Sequence, residues 1–326
     1  MRHLVTADWH IKMPRKKAEQ EWYIKQIDMF TRKLDDIINL YKVTRLDILG
    51  DIFDMKPTYL DIGILLKIFN DLLYENPELE INVIHGNHDF YRKDFYLLPI
   101  LPYLSNRVNL HFQVKEHENI LYVDNPYVRY GGKIPEKYDK IVFSHIACSL
   151  PQFNKEAEYD FNELTKFRFV ILGDIHKAYK IEDNILYTSS PFQTYKKTIH
   201  SLDEIDNSFH GVIVFDDRTL EYLKIELNLP NKYKLLTNTP PDEEKLKSLP
   251  DYIEVEYMMT LEELTASQLT DINNVKIIKK SDIDLSNTKS NREIVDEYLQ
   301  QKFEIIDTSP YISLLEKVYP DFFRGS

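Results

Sequence analysis

The sequence predicts an α/β fold with two packed sheets, and three observations carry that expectation. Five short apolar runs each end in side chains that divalent metals accept. Residues 2–7 lead into Asp8-Trp9-His10, residues 46–49 into Gly50-Asp51-Ile52-Phe53-Asp54, and residues 81–84 into His85-Gly86-Asn87-His88-Asp89. Residues 140–143 lead into Ser144-His145, and residues 169–172 into Gly173-Asp174-Ile175-His176. Runs of this length bounded by glycine read as buried strands of a parallel sheet. A carboxylate at the C-terminal end of such a strand sits where open α/β sheets place their ligands. Second, glycine is scarce, 8 of 326 residues, yet Gly50, Gly86 and Gly173 fall at these ends, where the chain must reverse. Third, a segment of helical period joins the first run to the second, which is a βαβ unit with its right-handed crossover.

That first helical segment spans 18–42, with apolar residues at Ile27, Phe30, Leu34, Ile37, Ile38 and Tyr41, one face of an amphipathic helix. A second helical pattern covers 61–74 and stops before Asn76-Pro77, and an apolar segment with two prolines covers 95–104. From 107 to 140 the chain turns β-like, with short runs at 108–112 and 120–123. Beyond His176, residues 185–188 and 211–215 read as strands, and Asp216-Asp217-Arg218 turns the chain back into 220–227. The expected result is an α/β sandwich with the candidate ligands along one edge.

A composition shift at Leu229-Pro230-Asn231-Lys232 opens a different region. Its pattern is a helix near 242–249, a strand at 252–257, a helix at 261–272 and a strand at 275–279. Thr260 with Glu263 three positions on is a capping-box pattern for the second helix. The last segment is helical over 290–302 and again from Ser309-Pro310. It carries Ile312, Leu314, Leu315, Val318, Tyr319, Phe322 and Phe323, which must be buried on its own chain or on another protein. The expected domains are therefore 1–228, a small α+β domain at 229–283 that carries none of the ligands, and a helical segment at 284–326.

Composition narrows the function classes. Hydrophobic content of 43% supports a real core, and no apolar stretch approaches the ~20 residues of a membrane span. Cys148 is alone, which excludes disulfides within the chain, and the N-terminus leads straight into a strand without a signal peptide; both fit a cytoplasmic protein. A net charge of −12 argues against gripping nucleic acid by bulk electrostatics. Basic residues nevertheless gather beside the strand ends: Lys12, Arg15, Lys16 and Lys17, Arg92 and Lys93, Lys177, and Lys196 with Lys197. Each taken singly is a solvated loop charge. As a group they form a candidate phosphate-facing rim, with Lys12, Arg15, Lys16, Arg92 and Lys177 the candidate DNA contacts.

The ligand set suggests the chemistry. Asp8, His10, Asp51 and His176 suit one metal ion; Asp51, Asn87, His145 and Asp174 suit a second, with Asp51 shared. Two such ions clamp a phosphate, activate a water and neutralise the charge of in-line displacement. The mixed oxygen and nitrogen shell suits two Mn²⁺, with Fe²⁺ or Mg²⁺ as alternatives. His88 is placed to contact the phosphate and protonate the leaving oxygen, and Asp54 to orient His88 through its other nitrogen. His85 is expected to support its turn, His3 lies too early in its strand, and His111, His117, His200 and His210 are expected to have no role.

Asp-x-His, Gly-Asp-x-x-Asp, Gly-Asn-His-Asp, a lone His and Gly-x-x-His occur in that order between residues 6 and 176, which resembles the calcineurin-like metallophosphoesterases. More narrowly, Thr6-Ala7-Asp8-Trp9-His10, Leu49-Gly50-Asp51-Ile52-Phe53-Asp54 and Ile84-His85-Gly86-Asn87-His88-Asp89 resemble SbcD-type nucleases of bacteria and phages. The resemblance implies a four-layer α-β-β-α sandwich, a DNA-contacting capping domain and a C-terminal helical segment. It also implies a partner, an SbcC-type coiled-coil P-loop ATPase bound through that segment, and a homodimer, for which 61–74 and 95–104 are the candidate faces. The expected activity is 3′→5′ exonucleolytic cleavage at duplex DNA ends and endonucleolytic cleavage of single strands or hairpins. In one place the chain departs from the family: Gly173-Asp174-Ile175-His176 stands where Gly-His-x-His is usual, and Asp174 is expected to ligate and to favour Mn²⁺. A small-molecule phosphodiesterase or protein phosphatase is the first alternative, disfavoured by the region beyond 229. A catalytically weak scaffold for an ATPase is the second, disfavoured by His88 and Asp54. The chain has no P-loop of its own, so any ATP dependence comes from a partner.

Overall fold

The computed structural model describes residues 1–92, 95–96, 98–99, 101–149, 158–176, 179–193, 196–205, 210–237, 243–259 and 275–281. They begin with strand β1 (Arg2–Thr6), helix α1 (Lys17–Tyr41), strand β2 (Arg45–Leu49), helix α2 (Tyr59–Glu75) and strand β3 (Glu80–Ile84). The apolar spacing read in α1 is its buried face: Ile27, Phe30, Leu34, Ile37 and Ile38 are buried, together with Trp22 and Tyr23 one turn earlier. The helix stops where Lys42 turns left-handed at φ 54° and its N–H bonds back to Ile38 O. α2 opens on a capping box between Thr58 and Asp61, and it ends at Asn76, before Pro77.

Two six-stranded mixed sheets form the body. In the first, β1, β2, β3 and the strand Val108–His111 run parallel, and Gly211–Asp216 with Tyr222–Glu226 extend the β1 edge antiparallel. In the second, Ile185–Tyr187, Phe169–Gly173, Ile141–His145 and Ile120–Val123 run parallel, with antiparallel edges at Tyr179–Glu182 and Val114–His117.

Strand alternation sorts the core into layers. Leu4, Leu46, Ile48, Ile81 and Val83 face α1 and α2, while Val5, Leu49 and Ile84 face Tyr122, Phe143 and Ile171 of the second sheet. The outer face of the second sheet is covered by the short helices Asn125–Arg129 and Phe161–Leu164, through residues such as Val128 and Leu164. Helix, sheet, sheet, helix is thus the observed layering, and every parallel strand of the sandwich points its C-terminus to the same rim.

A third sheet has the order Lys197–Ile199, Lys232–Thr237, Tyr252–Met259, Val275–Ser281. Compact unit one takes in Met1–Tyr257 and Leu269–Ile278, so the first strands of this sheet pack in the same unit as the sandwich. Trp22 Nε1 donates to Pro250 O, and Lys16 and Lys196 both pair with the buried carboxylate of Glu254. Unit two comprises Met258–Gln268 and Lys279–Ser326, of which only 258–259 and 279–281 are described. The helices expected at 261–272, at 290–302 and from 309 lie outside the described residues. Among the described residues no helix is long and apolar enough to cross a membrane.

Candidate metal centre

Strand ends bring the candidate ligands to one rim, and the backbone there is strained to aim them. Asp8, His10, Asp51 and Asp174 all have positive φ, at 56°, 45°, 52° and 92°. Non-glycine residues rarely adopt this region, and strain of this kind clusters at functional sites. Gly50, at φ 81°, supplies the turn before Asp51. Gly86 has no positive φ; it is needed for close approach, because a Cβ there would collide with the Asp51 carboxylate. Chain reversal is the expected reason for Gly50, Gly86 and Gly173; it holds for Gly50 alone, and at Gly173 too a Cβ would collide, here with Leu49 O.

The donor atoms converge. His10 Nε2 stands 3.1 Å from His176 Nε2, 3.7 Å from Asp51 Oδ2 and 3.9 Å from Asp8 Oδ1. His176 Nε2 is 3.6 Å from Asp8 Oδ1. On the other side, His145 Nε2 is 3.0 Å from Asn87 Oδ1, 3.3 Å from Asp51 Oδ2, 3.6 Å from Asp174 Oδ1 and 4.0 Å from Asp8 Oδ1. Two donor atoms that share one ion at about 2.0–2.2 Å stand roughly 3–4 Å apart. The donor atoms of Asp8, His10 and His176 all lie within 4.8 Å of one another, as do those of Asp8, Asp51 and His145, and those of His10, Asp51 and His88.

The electrostatics fit a cation site. Asp8 is fully buried, its Oδ1 makes no hydrogen bond, and burial with the nearby Asp51 and Asp174 pushes its carboxyl up to about 8. Burial would raise Asp51 too, but His145, by charge and hydrogen bond, and then His10 and His88 hold it well below the usual carboxylate range. His145 is fully buried, which alone would lower its pKa; the surrounding Asp51, Asp174 and Asp8 raise it well above the ordinary histidine value. His10 is driven down to about 4, first by burial and then by His176 and His88 against Asp51. Three buried carboxylates around one imidazole is an arrangement that cations stabilise. The ring orientation agrees: His145 Nδ1 meets Leu49 O at 2.6 Å and must donate to it, which leaves Nε2 facing the carboxylates.

His88 sits above this cluster, its N–H donating to Asp51 Oδ1 at 2.8 Å and its ring Nε2 4.0 Å from Asp51 Oδ2. Its Nδ1 meets Asp54 through the main-chain carbonyl, and the Asp54 carboxylate instead pairs with Lys12 and lies 3.8 Å from His10 Nδ1. Of the candidate rim, Lys12 is held by Asp54, Lys16 by Glu254, and Arg15 lines the cavity beside His10; the side chain of Arg92 and all of Lys177 lie outside what is described.

Two further contributors were not singled out from sequence. Asp89 closes the Gly-Asn-His-Asp motif, and its buried carboxylate accepts from Gly86 N, Ile52 N and Phe53 N at 2.9, 3.3 and 3.2 Å, tying the Asn87 loop to the Asp51 loop. Its place in the motif was the available signal. Lys232 reaches the cavity next to His10 from the third sheet, and no local pattern marked it. His85 is buried; its carbonyl accepts from Asn125 N at 2.9 Å, and its ring lies 3.7 Å from Asp124.

A two-sheet α/β sandwich with carboxylates and imidazoles gathered at the strand C-termini defines a metal-centred hydrolase scaffold. Residues 1–178 match the family of calcineurin-like phosphoesterases, and the chain belongs to that family. It is 26% identical over 293 residues to the probable exonuclease subunit 1 of Escherichia phage T5, covering 87% of this chain and 83% of the phage protein. Among solved structures, TT1561 of Thermus thermophilus is similar at 11% identity over 70% of this chain and 99% of its own, with a TM-score of 0.43. GAP50, the anchor in the inner membrane complex of Plasmodium, is similar at 13% identity over 71% of this chain and 90% of its own, with a TM-score of 0.41.

Proposed function

We propose that this chain is the nuclease subunit of an SbcCD-type DNA repair or recombination complex, hydrolysing DNA phosphodiester bonds with two divalent cations, Mn²⁺ in preference to Mg²⁺ or Fe²⁺. The observation that carries this reading is the joined cluster of Asp8, His10, Asp51, His145 and His176 with His88 above it. The similarity to a phage exonuclease subunit over most of both chains supports the choice of DNA as substrate.

In this reading Asp8, His10, Asp51 and His176 hold one cation, and Asp51, Asn87, His145 and Asp174 the other. When bound, the pair would neutralise the phosphate oxygens and make a water a competent nucleophile. The protein residues do the rest. Asp51 sits between the two ligand groups and fixes their spacing. His88, donating from Nδ1 to the Asp54 carbonyl, presents Nε2 to the phosphate; protonated there, it gives its proton to the leaving oxygen as the P–O bond breaks and the new P–O bond to water forms. Lys12 neutralises the Asp54 carboxylate and so keeps a negative charge from repelling the incoming strand.

The same reading gives residues 229–283 a DNA-capping role and 284–326 the docking of an ATPase partner. α2 exposes Tyr59, Leu60 and Tyr74, apolar surface suited to a homodimer face. The test is release of nucleotides from end-labelled linear duplex DNA with Mn²⁺, Mg²⁺ or EDTA. Cleavage that needs Mn²⁺ and is lost in Asp51→Asn supports the reading. Hydrolysis of a simple phosphodiester without DNA cleavage, with and without the partner ATPase and ATP, overturns the choice of substrate.

A further inference from the structure

Next to the metal-site cluster, on the side of His10 and Asp54, lies a cavity of about 340 Å³. Its walls include the buried aromatic residues Trp9, Tyr23 and Phe192, and its polar lining includes Lys12, Arg15 and Lys232. Lys232 is the unusual member. Its side chain is 19% exposed, and its ammonium lies 3.3 Å from Glu19 and over the faces of Tyr23 and Trp22, at 5.2 and 5.6 Å from the ring centres.

A lysine is seldom this enclosed unless its charge is answered. Burial, aided by the nearby positive charges of Lys196 and Lys12, outweighs Glu19 and holds the Lys232 ammonium below the usual lysine range. One carboxylate therefore under-compensates the site. The lining tilts the same way: Lys12, Arg15 and Lys232 face Glu19 and Asp54, in a chain whose net charge is −12. A local cationic excess in an acidic protein, floored by aromatic rings and continuous with the cluster, is chemistry for an anion carrying an aromatic group.

We propose that this cavity is the subsite for the nucleotide adjoining the scissile phosphodiester, with its phosphate taken by Lys232 and Arg15 and its base or sugar laid against Tyr23 and Phe192. The size suits one nucleotide unit rather than several. The inference rests on the nuclease reading above and adds to it a specificity-determining residue from the third sheet.

The test compares two substrates on the Mn²⁺-loaded full chain: a short DNA oligonucleotide, which has a neighbouring nucleotide, and bis(p-nitrophenyl) phosphate, which has none. In Lys232→Gln, kcat/KM for the oligonucleotide should fall about tenfold relative to that for the small ester, carried by KM, as expected for loss of a charge-assisted phosphate contact. Lys232→Arg should restore the ratio. Arg15→Gln, at an exposed position, should shift the ratio in the same direction and serves if Lys232→Gln does not fold. An equal fall on both substrates, or no change in the ratio in either variant, overturns the subsite. Wild-type protein that hydrolyses the small ester but leaves DNA intact, with and without the partner ATPase and ATP, overturns the nuclease reading instead.

Discussion

The imidazole of His88 is tethered to Asp54 through the main chain, its Nδ1 against the carbonyl oxygen rather than the carboxylate. A carbonyl can only accept, so Nδ1 carries a proton and Nε2 is the atom that faces outward over Asp51. Replacing His88 by Asn should lower kcat on DNA by roughly 10²–10³-fold. The loss should be smaller for a p-nitrophenyl ester, whose leaving group departs without a proton. Equal losses on both substrates would remove the proton-donor role. Because the carboxylate is not the tether, Asp54→Asn should cost far less than His88→Asn in the same assay.

Asp174 occupies a left-handed backbone position, its N–H bonded to Asp8 Oδ2 at 3.1 Å and its Oδ1 3.6 Å from His145 Nε2. Asp174→Ala should weaken Mn²⁺ binding at least tenfold and reduce the number of ions held per chain, as read by titration calorimetry. Unchanged affinity and occupancy would show that Asp174 is not a ligand.

Asp89 satisfies three buried backbone donors from two loops. Asp89→Ala leaves them without an acceptor, at a cost of about 3 kcal/mol in unfolding free energy. Denaturant melts of the metal-free protein check this, and Asp89→Asn, which keeps one acceptor oxygen, should recover part of the loss. A variant as stable as the wild type would mean that water replaces the carboxylate.

The inner faces of the two sheets meet around polar residues as well as apolar ones. His3 Nδ1 pairs with Asp47 Oδ2 at 2.7 Å, and Tyr122 and Asn82 bond the other oxygen of Asp47. Burial works against a charged His3, but Asp47 and Asp217 prevail and raise its pKa from 6.5 to about 9. The folded value lies above the unfolded one, so this contribution is fully present below pH 6.5 and is lost as pH rises through 9. It amounts to at most about 3 kcal/mol. Between pH 6.5 and 9 wild-type stability should fall more steeply than that of His3→Gln, which should be the less stable of the two at about pH 6. Parallel pH profiles for the two proteins would contradict the assignment.

The fold was legible where a local pattern decided it. The 3.6-residue spacing of Ile27, Phe30 and Leu34 announced α1, and the abrupt end of an apolar run at Gly50-Asp51 announced a strand with a carboxylate at its end. Ile120–Val123 was read to the residue because all four side chains are apolar and turn residues bound it. Val114–His117 was not, since an edge strand with exposed Lys115 and Glu116 carries no apolar run. Lys197–Ile199 was missed for a related reason: three residues are too few for a period, and their partner strand, Lys232–Thr237, lies far along the chain.

The site shows the same division. Candidate ligands following five strands could be read in order, but what the main chain does could not. The carbonyls of Leu49 and Asp54, which set the orientation of His145 and His88, leave no trace in side-chain identity. Lys232 was equally hidden, because its meeting with Tyr23 and Glu19 depends on how the third sheet lies against α1.

The proposed two-cation centre turns on Asp51 as the shared carboxylate. Manganese titration followed by electron paramagnetic resonance, with DNA cleavage measured on the same samples, tests this most directly. Two Mn²⁺ per chain with a spin-coupled signal are expected, with loss of both the coupling and the cleavage in Asp51→Asn. A single uncoupled ion in the wild type, or cleavage that survives in Asp51→Asn, would contradict the shared-carboxylate centre.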